Sequence, residues 1–332
     1  MSSRLALAFP EGAPGEVLLI GADAQADLSP FERARTRIVQ VLAPDHAALA
    51  AQGWRVGLAP NGPAETVVVF LPRARDQARA RLAEAVAHLA PGGSLWVDGQ
   101  KTDGIDAMLR ELRGLASVDG VESKAHGKIF RVHGAGWVPG AWAAHDLTPA
   151  PGFVTRAGVF SADGIDPGSA LLAAHLPERL PARVVDLGAG WGWLSTQILA
   201  HPGVEVLHLV EADATALDCA RRNVTDPRAR FHWADATRFS LPEPVNGVVM
   251  NPPFHAGARS GDARIGAGFI ATAARLLTGA GQLWMVANRH LPYEGVLAQN
   301  FAQTTEIGGD SRFKIIHATG AGRLPKRKAP RR

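Results

Sequence analysis

The chain of 332 residues carries 35 Lys and Arg side chains against 31 Asp and Glu, a formal net charge of +4, and 46% of its residues are hydrophobic. This suffices for two packed domains, and no apolar stretch approaches the roughly 18–20 residues that a bilayer span needs. Cys219 is the only cysteine, which excludes an intrachain disulfide and a thiolate metal site, so we expect a cytoplasmic protein with neither a membrane nor a metal partner.

The first half of the chain carries the pattern of one α/β unit. Apolar strand segments lie at 64–72 and 91–99, with a helix predicted from Arg79 to Leu89 between them. Pro and Gly interrupt every periodic pattern near 145–152. We therefore predict a first domain over residues 1–148 and a second over 149–320.

The second half alternates strand and helix patterns more clearly. Strands are predicted at 184–186, 206–210, 231–233, 248–250 and 282–287, and helices at 191–200 and 215–224. A final pair of segments, 304–307 and 312–319, is typical of an antiparallel hairpin at a sheet edge. Strands interleaved with helices indicate a mostly parallel sheet that is covered on both faces.

The last twelve residues, 321–332, differ from both halves in charge. They carry six basic and no acidic side chains, whereas residues 1–150 carry 15 basic and 16 acidic groups and residues 151–320 carry 14 and 15. Such a tail gains affinity for RNA phosphates by counterion release and is predicted to be disordered when free. The alternative is a terminal segment that only adds solubility.

The two halves share a repeat. In the first half, a helix lies between the segments AETVVVFLP and PGGSLWVDG. In the second half, a helix lies in the same way between VNGVVMNPP and GAGQLWMVAN. Further along, SKAHGKIFRVHG corresponds to GGDSRFKIIHATG. We favour duplication of one unit, although any two α/β domains look loosely alike. The first copy has GEVLLIGADAQAD in place of a Gly-x-Gly-x-Gly turn and FLPR in place of NPPF. It is therefore expected to be degenerate, without a cofactor, and to serve structure or RNA placement.

A glycine-rich turn, Asp186 to Gly192 (DLGAGWG), follows the first strand of the second half. Glycines at alternate positions let a backbone approach a ligand closely, and in a parallel sheet such a turn lies at the edge where ligands bind. Dinucleotide sites use a different spacing, Gly-x-Gly-x-x-Gly, and Asp186 would repel a pyrophosphate but favour an ammonium group. S-adenosylmethionine fits this chemistry. The predicted contacts are Asp186, Gly188, Ala189, Gly190 and Gly192.

Carboxylates follow the next two strands. Glu211, with Ala212 beside it, is expected to accept hydrogen bonds from ribose hydroxyls, with Asp213 as an alternative. Asp235, followed by Ala236, is expected to accept from the adenine amino group. Each carboxylate alone is compatible with a solvated loop or a helix cap, but their succession at strand ends favours a cofactor site.

The motif Asn251-Pro252-Pro253-Phe254 follows the apolar run 248–250. A nucleobase amine is a poor nucleophile because its lone pair is conjugated with the ring, and two acceptors aimed at its N–H groups oppose that conjugation. The side-chain oxygen of Asn251 and the carbonyl of Pro252 are predicted to be these acceptors, and the two prolines fix the backbone. Phe254 is predicted to stack on the base. Alone, the motif is equally a proline-rich turn after a strand.

Together, the segments 156–172, 186–192, 251–257, 286–297 and 311–316 resemble the bacterial RsmC family. The resemblance spans nearly the whole chain. It implies two tandem Rossmann-like class I methyltransferase domains, each with a mostly parallel sheet and an antiparallel edge hairpin, the first one degenerate. It also implies methylation of guanine N2 in 16S rRNA within the small ribosomal subunit, with S-adenosylmethionine as cofactor. Phe160 and Ser169 are implied to line the cofactor pocket, although Phe160 could equally pack in a core.

Several alternatives stay open. The same pattern resembles the sister family that acts on large-subunit rRNA, Asn-Pro-Pro-aromatic sites also serve glutamine amides and DNA adenines, and a noncatalytic RNA-binding assembly factor could retain the fold. Trp191 and Trp193 stand where smaller residues are usual, and either pack against the helix or narrow the pocket. Seven arginines either contact RNA or lie on solvated faces with acidic partners: Arg33, Arg35, Arg37, Arg73, Arg75, Arg79 and Arg81. Two further side chains, Arg312 and Lys314, either approach RNA or are charges at a strand edge.

Overall fold

Two seven-stranded sheets form the scaffold of the chain. The computed structural model describes residues 3–134, 136–253 and 261–322, and these divide into two units. The first comprises Met1–Leu147 and Arg156–Gly158, and the second comprises Thr148–Thr155 and Val159–Arg332. Across the described ranges, none of the helices combines the length and the apolar character that a bilayer crossing requires.

The sheet of the first unit has the strand order β3-β2-β1-β4-β5-β7-β6. Strands β1 to β5 are parallel, β7 pairs antiparallel with β5, and β6 pairs antiparallel with β7. The strands are β1 Val17–Ile20, β2 Thr36–Val39, β3 Arg55–Gly57, β4 Ala64–Phe70, β5 Leu89–Gln100, β6 Val118–Lys124 and β7 Gly127–Val132. The helices are α1 Arg4–Ala8, α2 Ala43–Ala51, α3 Arg75–Ala87 and α4 Ile105–Arg113.

The sheet of the second unit repeats this order as β12-β11-β10-β13-β14-β16-β15, again parallel except for the last two strands. Two short strands, β8 Asp146–Leu147 and β9 Thr155–Arg156, precede it. Its strands are β10 Arg183–Leu187, β11 Val206–Glu211, β12 Ala229–Trp233, β13 Val245–Met250, β14 Leu277–Asn288, β15 Phe301–Gly309 and β16 Phe313–Ala321. The helices are α5 Pro167–Ala174, α6 Trp193–Leu199, α7 Ala214–Asn223, α8 Gly261–Leu276 and α9 Glu294–Asn300.

The central strands are buried on both faces, which is why their sequences are continuous apolar runs rather than alternating ones. In β4 the stretch 67–69 is fully buried, and the same holds for 248–250 of β13. Parallel strands can be joined only by crossovers, so helices cover both faces and the loops at the carboxyl ends of the strands gather at one edge of each sheet. That edge positions the site of the second unit.

The predicted fold class is confirmed, since both units have a mostly parallel sheet with an antiparallel edge pair. The helix predicted over 191–200 begins two residues later, at Trp193, because Gly192 is left-handed (φ +90°) and caps it. Helix α4 was not predicted, although its buried residues Ile105, Met108, Leu109 and Leu112 follow helical spacing. Strand β16 extends through Ala321, and residues 323–332 of the basic tail lie outside the described residues.

Candidate active site

The glycine-rich turn connects β10 to α6 at the carboxyl edge of the sheet. Gly188, Gly190 and Gly192 all have left-handed backbones, with φ of +83°, +55° and +90°. A side chain at Gly192 would place its Cβ 2.7 Å from Val224, so glycine lets α6 pack against the end of α7. A Cβ at Gly190 would meet no atom of the described residues within 4 Å, and within that part of the chain this position leaves open space for a ligand. The N–H groups of Gly188 and Ala189 donate to the carbonyl of Val210, at 2.9 and 3.0 Å.

Asp186 lies beneath this turn with no exposed surface. One carboxylate oxygen accepts a hydrogen bond from the Ser195 hydroxyl at 2.6 Å, and the other oxygen, Oδ1, is buried without a partner among the described residues. Burial, assisted by the negative charge of Glu211, raises the pKa of Asp186 to about 7. Asp186 therefore does not line the open cleft, and its contact with an ammonium group stays a prediction.

Glu211 is hydrogen-bonded to the backbone at the centre of the glycine-rich turn. Its two oxygens accept hydrogen bonds from the N–H groups of Gly190 and Asp213, both at 2.8 Å, and burial raises the pKa of its carboxyl group. Each oxygen keeps a second lone pair that a ribose hydroxyl could use. Asp213, the alternative ribose ligand, instead caps α7 by accepting from the N–H of Thr215 at 2.8 Å.

The remaining predicted adenosine contacts follow β11 and β12. Asp235 Oδ1 accepts from both the N–H and the hydroxyl of Thr237, at 2.8 and 2.7 Å, in a turn. Ala236 is 4% exposed and belongs to the core, and the carbonyl of Ala212 accepts from the indole N–H of Trp233 at 2.8 Å. The role of Asp235 toward an adenine amino group stays a prediction.

Asn251 follows β13 directly and has an unusual hydrogen-bond arrangement. Its Nδ2 group donates to Asp166 Oδ2 at 2.8 Å and to Ser169 Oγ at 2.7 Å. Its Oδ1 atom is buried and has no partner among the described residues. A buried acceptor without a partner costs about 1–3 kcal/mol, so the arrangement is suited to receive a donor from outside. Pro252 is buried and Pro253 is half-buried.

The predicted stacking residue, Phe254, lies outside the described residues, as does His255. The part of the motif that the structure describes is close to the glycine-rich turn, because a Cβ at Gly188 would lie 4.0 Å from the backbone carbonyl oxygen of Asn251. The structure therefore brings together the two sequence motifs on which the predicted reaction depends.

One cleft joins these features. Several predicted site residues line it together with Asp166, Trp191 and Trp193: Phe160, Ser169, Gly188, Ala189, Gly190 and Asn251. Phe160 is 39% exposed, which argues against a core role. The other predicted cofactor contacts are not among the lining residues: Asp186, Gly192, Glu211, Ala212, Asp235 and Ala236.

The large indole at Trp191 packs rather than filling the cleft. Trp191 is 4% exposed, lies in a cluster with Val159, Ala216 and Cys219, and meets the ring of Phe153 edge-on at 5.4 Å. Of the two interpretations of this residue, packing against neighbouring elements is the one that the contacts favour.

Sequence reasoning missed Asp166 as a functional candidate. Asp166 caps α5 through a hydrogen bond from the N–H of Ser169 at 2.7 Å, and Pro167 stands in the first turn. The Asp-Pro pair is a helix-start signal that the sequence displays. Its contact with Asn251, 85 residues away, has no such signal.

Most of the candidate RNA-binding side chains have local partners. Arg75 and Arg79 bind Glu111, and Lys314 is 5% exposed, pairs with Glu294 and donates to the carbonyl of Leu291 at 3.0 Å. Neither an RNA contact nor a strand-edge charge therefore describes Lys314, which anchors the start of α9. Within the described ranges, no group of three His, Cys, Asp or Glu side chains is placed to hold a metal ion.

Two family models match this chain. The methyltransferase small domain family matches residues 151–317, and the methyltransferase small domain N-terminal family matches residues 15–135. The ribosomal RNA small subunit methyltransferase C of Hahella chejuensis is 26% identical over 92% of this chain and 94% of its own length. The protein of that name from Shewanella baltica is 30% identical over 76% of this chain and 75% of its own.

Among solved structures, the chain is similar to the Thermus thermophilus 16S rRNA N2 G1207 methyltransferase in complex with AdoMet and guanosine. The TM-score is 0.81 at 24% identity, over 95% of this chain and 91% of the other. This likeness shows a common fold. The resemblance found from the sequence motifs is confirmed, and the chain belongs to the family of ribosomal RNA small subunit methyltransferase C.

Proposed function

We propose that this chain transfers a methyl group from S-adenosylmethionine to the exocyclic N2 of a guanine in 16S rRNA, within the small ribosomal subunit. Membership of the family supports the reaction class and the polymer. The observation that carries the proposal in this chain is the buried Oδ1 of Asn251, which has no partner among the described residues. Asn251 lines the same cleft as the glycine-rich turn.

The residues of the turn fit S-adenosylmethionine. Among the described residues, no atom lies within 4 Å of a Cβ built at Gly190, and the buried Oδ1 of Asp186 has no hydrogen-bond partner. Glu211 offers only acceptor lone pairs to hydroxyl donors. Open space beside the turn, with acceptor oxygens behind it, suits a ligand that is rich in donors and positive charge. When bound, this cofactor supplies an electrophilic methyl group on a sulfonium.

The chain itself contributes orientation and electrostatic preorganisation. Asn251 Oδ1 accepts a hydrogen bond from guanine N2–H, which favours a more tetrahedral nitrogen whose lone pair is localised toward the methyl group. The carbonyl of Pro252 is proposed as the second acceptor, and Phe254 as the stacking surface. The localised lone pair of N2 would be aimed at the methyl group that the sulfonium supplies, and the surplus proton on N2 would leave to solvent after the transfer. Because the acceptors are fixed before reaction, they need no reorganisation during it.

The two remaining parts of the chain are proposed to serve RNA placement. The first unit keeps the sheet without the glycine-rich turn and the Asn-Pro-Pro motif. The six basic groups of the tail 321–332 supply the positive charge that residues 1–150 and residues 151–320 do not have in excess, and they are proposed to bind phosphates by counterion release.

Methyl incorporation tests this proposal. Purified protein and isotope-labelled S-adenosylmethionine are incubated separately with small subunits, naked 16S rRNA, large subunits, DNA and a glutamine-containing protein, and the labelled atom is mapped by mass spectrometry. We expect N2-methylguanine in 16S rRNA. Label in large-subunit rRNA, adenine or protein would assign another acceptor, and failure to bind S-adenosylmethionine in calorimetry would indicate a noncatalytic RNA-binding factor.

A further inference from the structure

The side chain of Asn251 can present either of two atoms to the cleft. An amide carries an acceptor oxygen and a donor nitrogen of similar size and shape. Only the oxygen can accept from an amine N–H. If the amide were rotated by 180°, the NH2 group would face guanine N2 and the activation would be lost, so the orientation of this amide decides whether the site is active.

We propose that Asp166 is the positioning residue that selects the productive orientation of Asn251, an inference that rests on the proposed function. Asp166 Oδ2 accepts from Asn251 Nδ2 at 2.8 Å. An ionised carboxylate can only accept hydrogen bonds. In the rotated orientation two oxygens would therefore face each other inside a half-buried site, and the repulsion disfavours that state.

Ser169 also contacts the amide of Asn251 but does not distinguish between its two orientations. Its hydroxyl lies 2.7 Å from Asn251 Nδ2, and a hydroxyl both donates and accepts. It can therefore bond either end of the amide. Ser169 adds to the strength of the arrangement, while the selection between the two orientations falls to Asp166.

Asp166 is itself held rigidly, as a positioning residue must be. The same Oδ2 atom accepts from the N–H of Ser169 at 2.7 Å and caps α5. Helix α5 is fixed in turn by Leu172, which is fully buried in the core. The orientation of the amide is thus set by a helix end and not by a flexible loop side chain.

Two substitutions separate positioning from helix capping. Asp166→Ser keeps a good N-cap residue, but its shorter side chain no longer reaches Asn251. Asp166→Asn keeps the length and an acceptor oxygen but not the charge. We expect D166S to lower kcat roughly 10²-fold, in line with the effect of misplacing a catalytic group, and D166N to recover part of that loss. The dissociation constant of S-adenosylmethionine and the KM for RNA should stay unchanged in both.

A double-mutant cycle shows whether Asp166 acts through Asn251. In an Asn251→Ala background, D166S should lower kcat no further, because the side chain that it orients is gone. As a matched control, Asp226→Asn removes a carboxylate that accepts from the N–H of Arg228 on the approach to β12, and it should leave kcat unchanged.

Three results would overturn the inference: wild-type kcat in D166S, a weaker cofactor affinity with unchanged kcat, or losses that add independently in the double variant. The second result would make Asp166 a cofactor ligand instead. Failure of the proposed function is distinguishable, because it appears in the wild-type protein as methyl label on an acceptor other than guanine N2. The same kcat comparison on that acceptor then still decides the role of Asp166.

Discussion

The two units of the chain share one sheet and differ at three positions along its carboxyl edge. Pairing places Ile20 of β1 beside Val39 and Val69, and Leu187 of β10 beside Val210 and Met250. When the strands of the two units are aligned at these residues, three site residues of the second unit have counterparts in the first: Leu19 for Asp186, Gln40 for Glu211 and Phe70 for Asn251.

Glu211 and its counterpart Gln40 show most clearly which contacts the two units share and which they do not. Glu211 accepts from the N–H groups of Gly190 and Asp213. Gln40, which is uncharged, also binds the backbone on both sides of the strand end. It donates to the carbonyl of Ala22 at 2.7 Å and accepts from the N–H of Leu42 at 2.9 Å. Both units therefore place a side chain that bridges the turn at this position, and only the second unit uses a carboxylate there.

The difference teaches that the fold does not require the polar site residues. Leu19 is fully buried at the position where the second unit buries Asp186, and a buried leucine adds hydrophobic stabilisation where a buried carboxylate is unfavourable. The polar set of the second unit is therefore better explained by ligand chemistry than by folding. Substitutions that exchange features of the two units test this explanation.

The largest effect is expected at Asn251. Asn251→Ala removes the unpartnered oxygen, and turnover of RNA should fall roughly 10²–10³-fold, as it does when a preorganised hydrogen-bonding group is deleted. Affinity for S-adenosylmethionine should hardly change. Single-turnover kinetics with calorimetry measures both, and Asn246→Ala, at an exposed position of the same strand, is the control. Wild-type turnover in N251A would remove Asn251 from the mechanism.

For the Asp186→Asn substitution we expect a more stable protein that binds S-adenosylmethionine more weakly. Because the pKa of Asp186 is raised in the folded state, the folded chain keeps a proton between pH 4 and 7 that the unfolded chain releases. Asp186 therefore lowers the free energy of unfolding as pH rises through that range. The penalty above pH 7 is at most about 4 kcal/mol. Asp186→Asn should therefore be more stable than wild type, by more at pH 8 than at pH 5, and should bind S-adenosylmethionine more weakly.

Urea denaturation at the two pH values measures the change. Asp226→Asn is the matched control of opposite sign, because Arg228 lowers the pKa of Asp226 to about 2 and the substitution should destabilise. A D186N protein that is less stable than wild type at pH 8 would contradict the explanation.

A smaller effect is expected from Glu211→Gln, which copies Gln40 into the second unit. Hydrogen bonds to a charged acceptor are about twice as strong as neutral ones, so the dissociation constant of S-adenosylmethionine should rise about tenfold, or 1.4 kcal/mol. The reciprocal change, Gln40→Glu, should leave cofactor binding as it is. Equal affinities of wild type and E211Q would show that the charge is not used.

The smallest effect is expected from deletion of residues 323–332. Residues 1–150 and 151–320 each carry one more acidic than basic group, so the tail should account for most of the salt dependence of RNA binding. We expect affinity to fall roughly 3–10-fold and the slope of log K against log salt to become shallower. Filter binding across a salt series measures this, and an unchanged slope would leave the tail without a role in RNA binding.

The sequence was sufficient for the fold class because the signals of the central elements are local. Continuous apolar runs such as 67–69 and 248–250 predict buried parallel strands, and the spacing of Gly188, Gly190 and Gly192 predicts the turn. The contacts that complete the site are not local. Asp166 and Ser169 lie 85 and 82 residues from Asn251, and the altered pKa of Asp186 depends on burial that only the folded chain provides. One signal was present but unused, the Asp-Pro start of α5.

The central claim is that Asn251 turns its free oxygen toward the amine of guanine. A crystal structure of the protein with S-adenosylhomocysteine and guanosine tests it most directly. We predict Asn251 Oδ1 at 2.7–3.2 Å from guanine N2, the normal range of a hydrogen bond, with Nδ2 still bound to Asp166. A guanine N2 beyond hydrogen-bond distance of Oδ1, or one that faces Nδ2, would contradict the account.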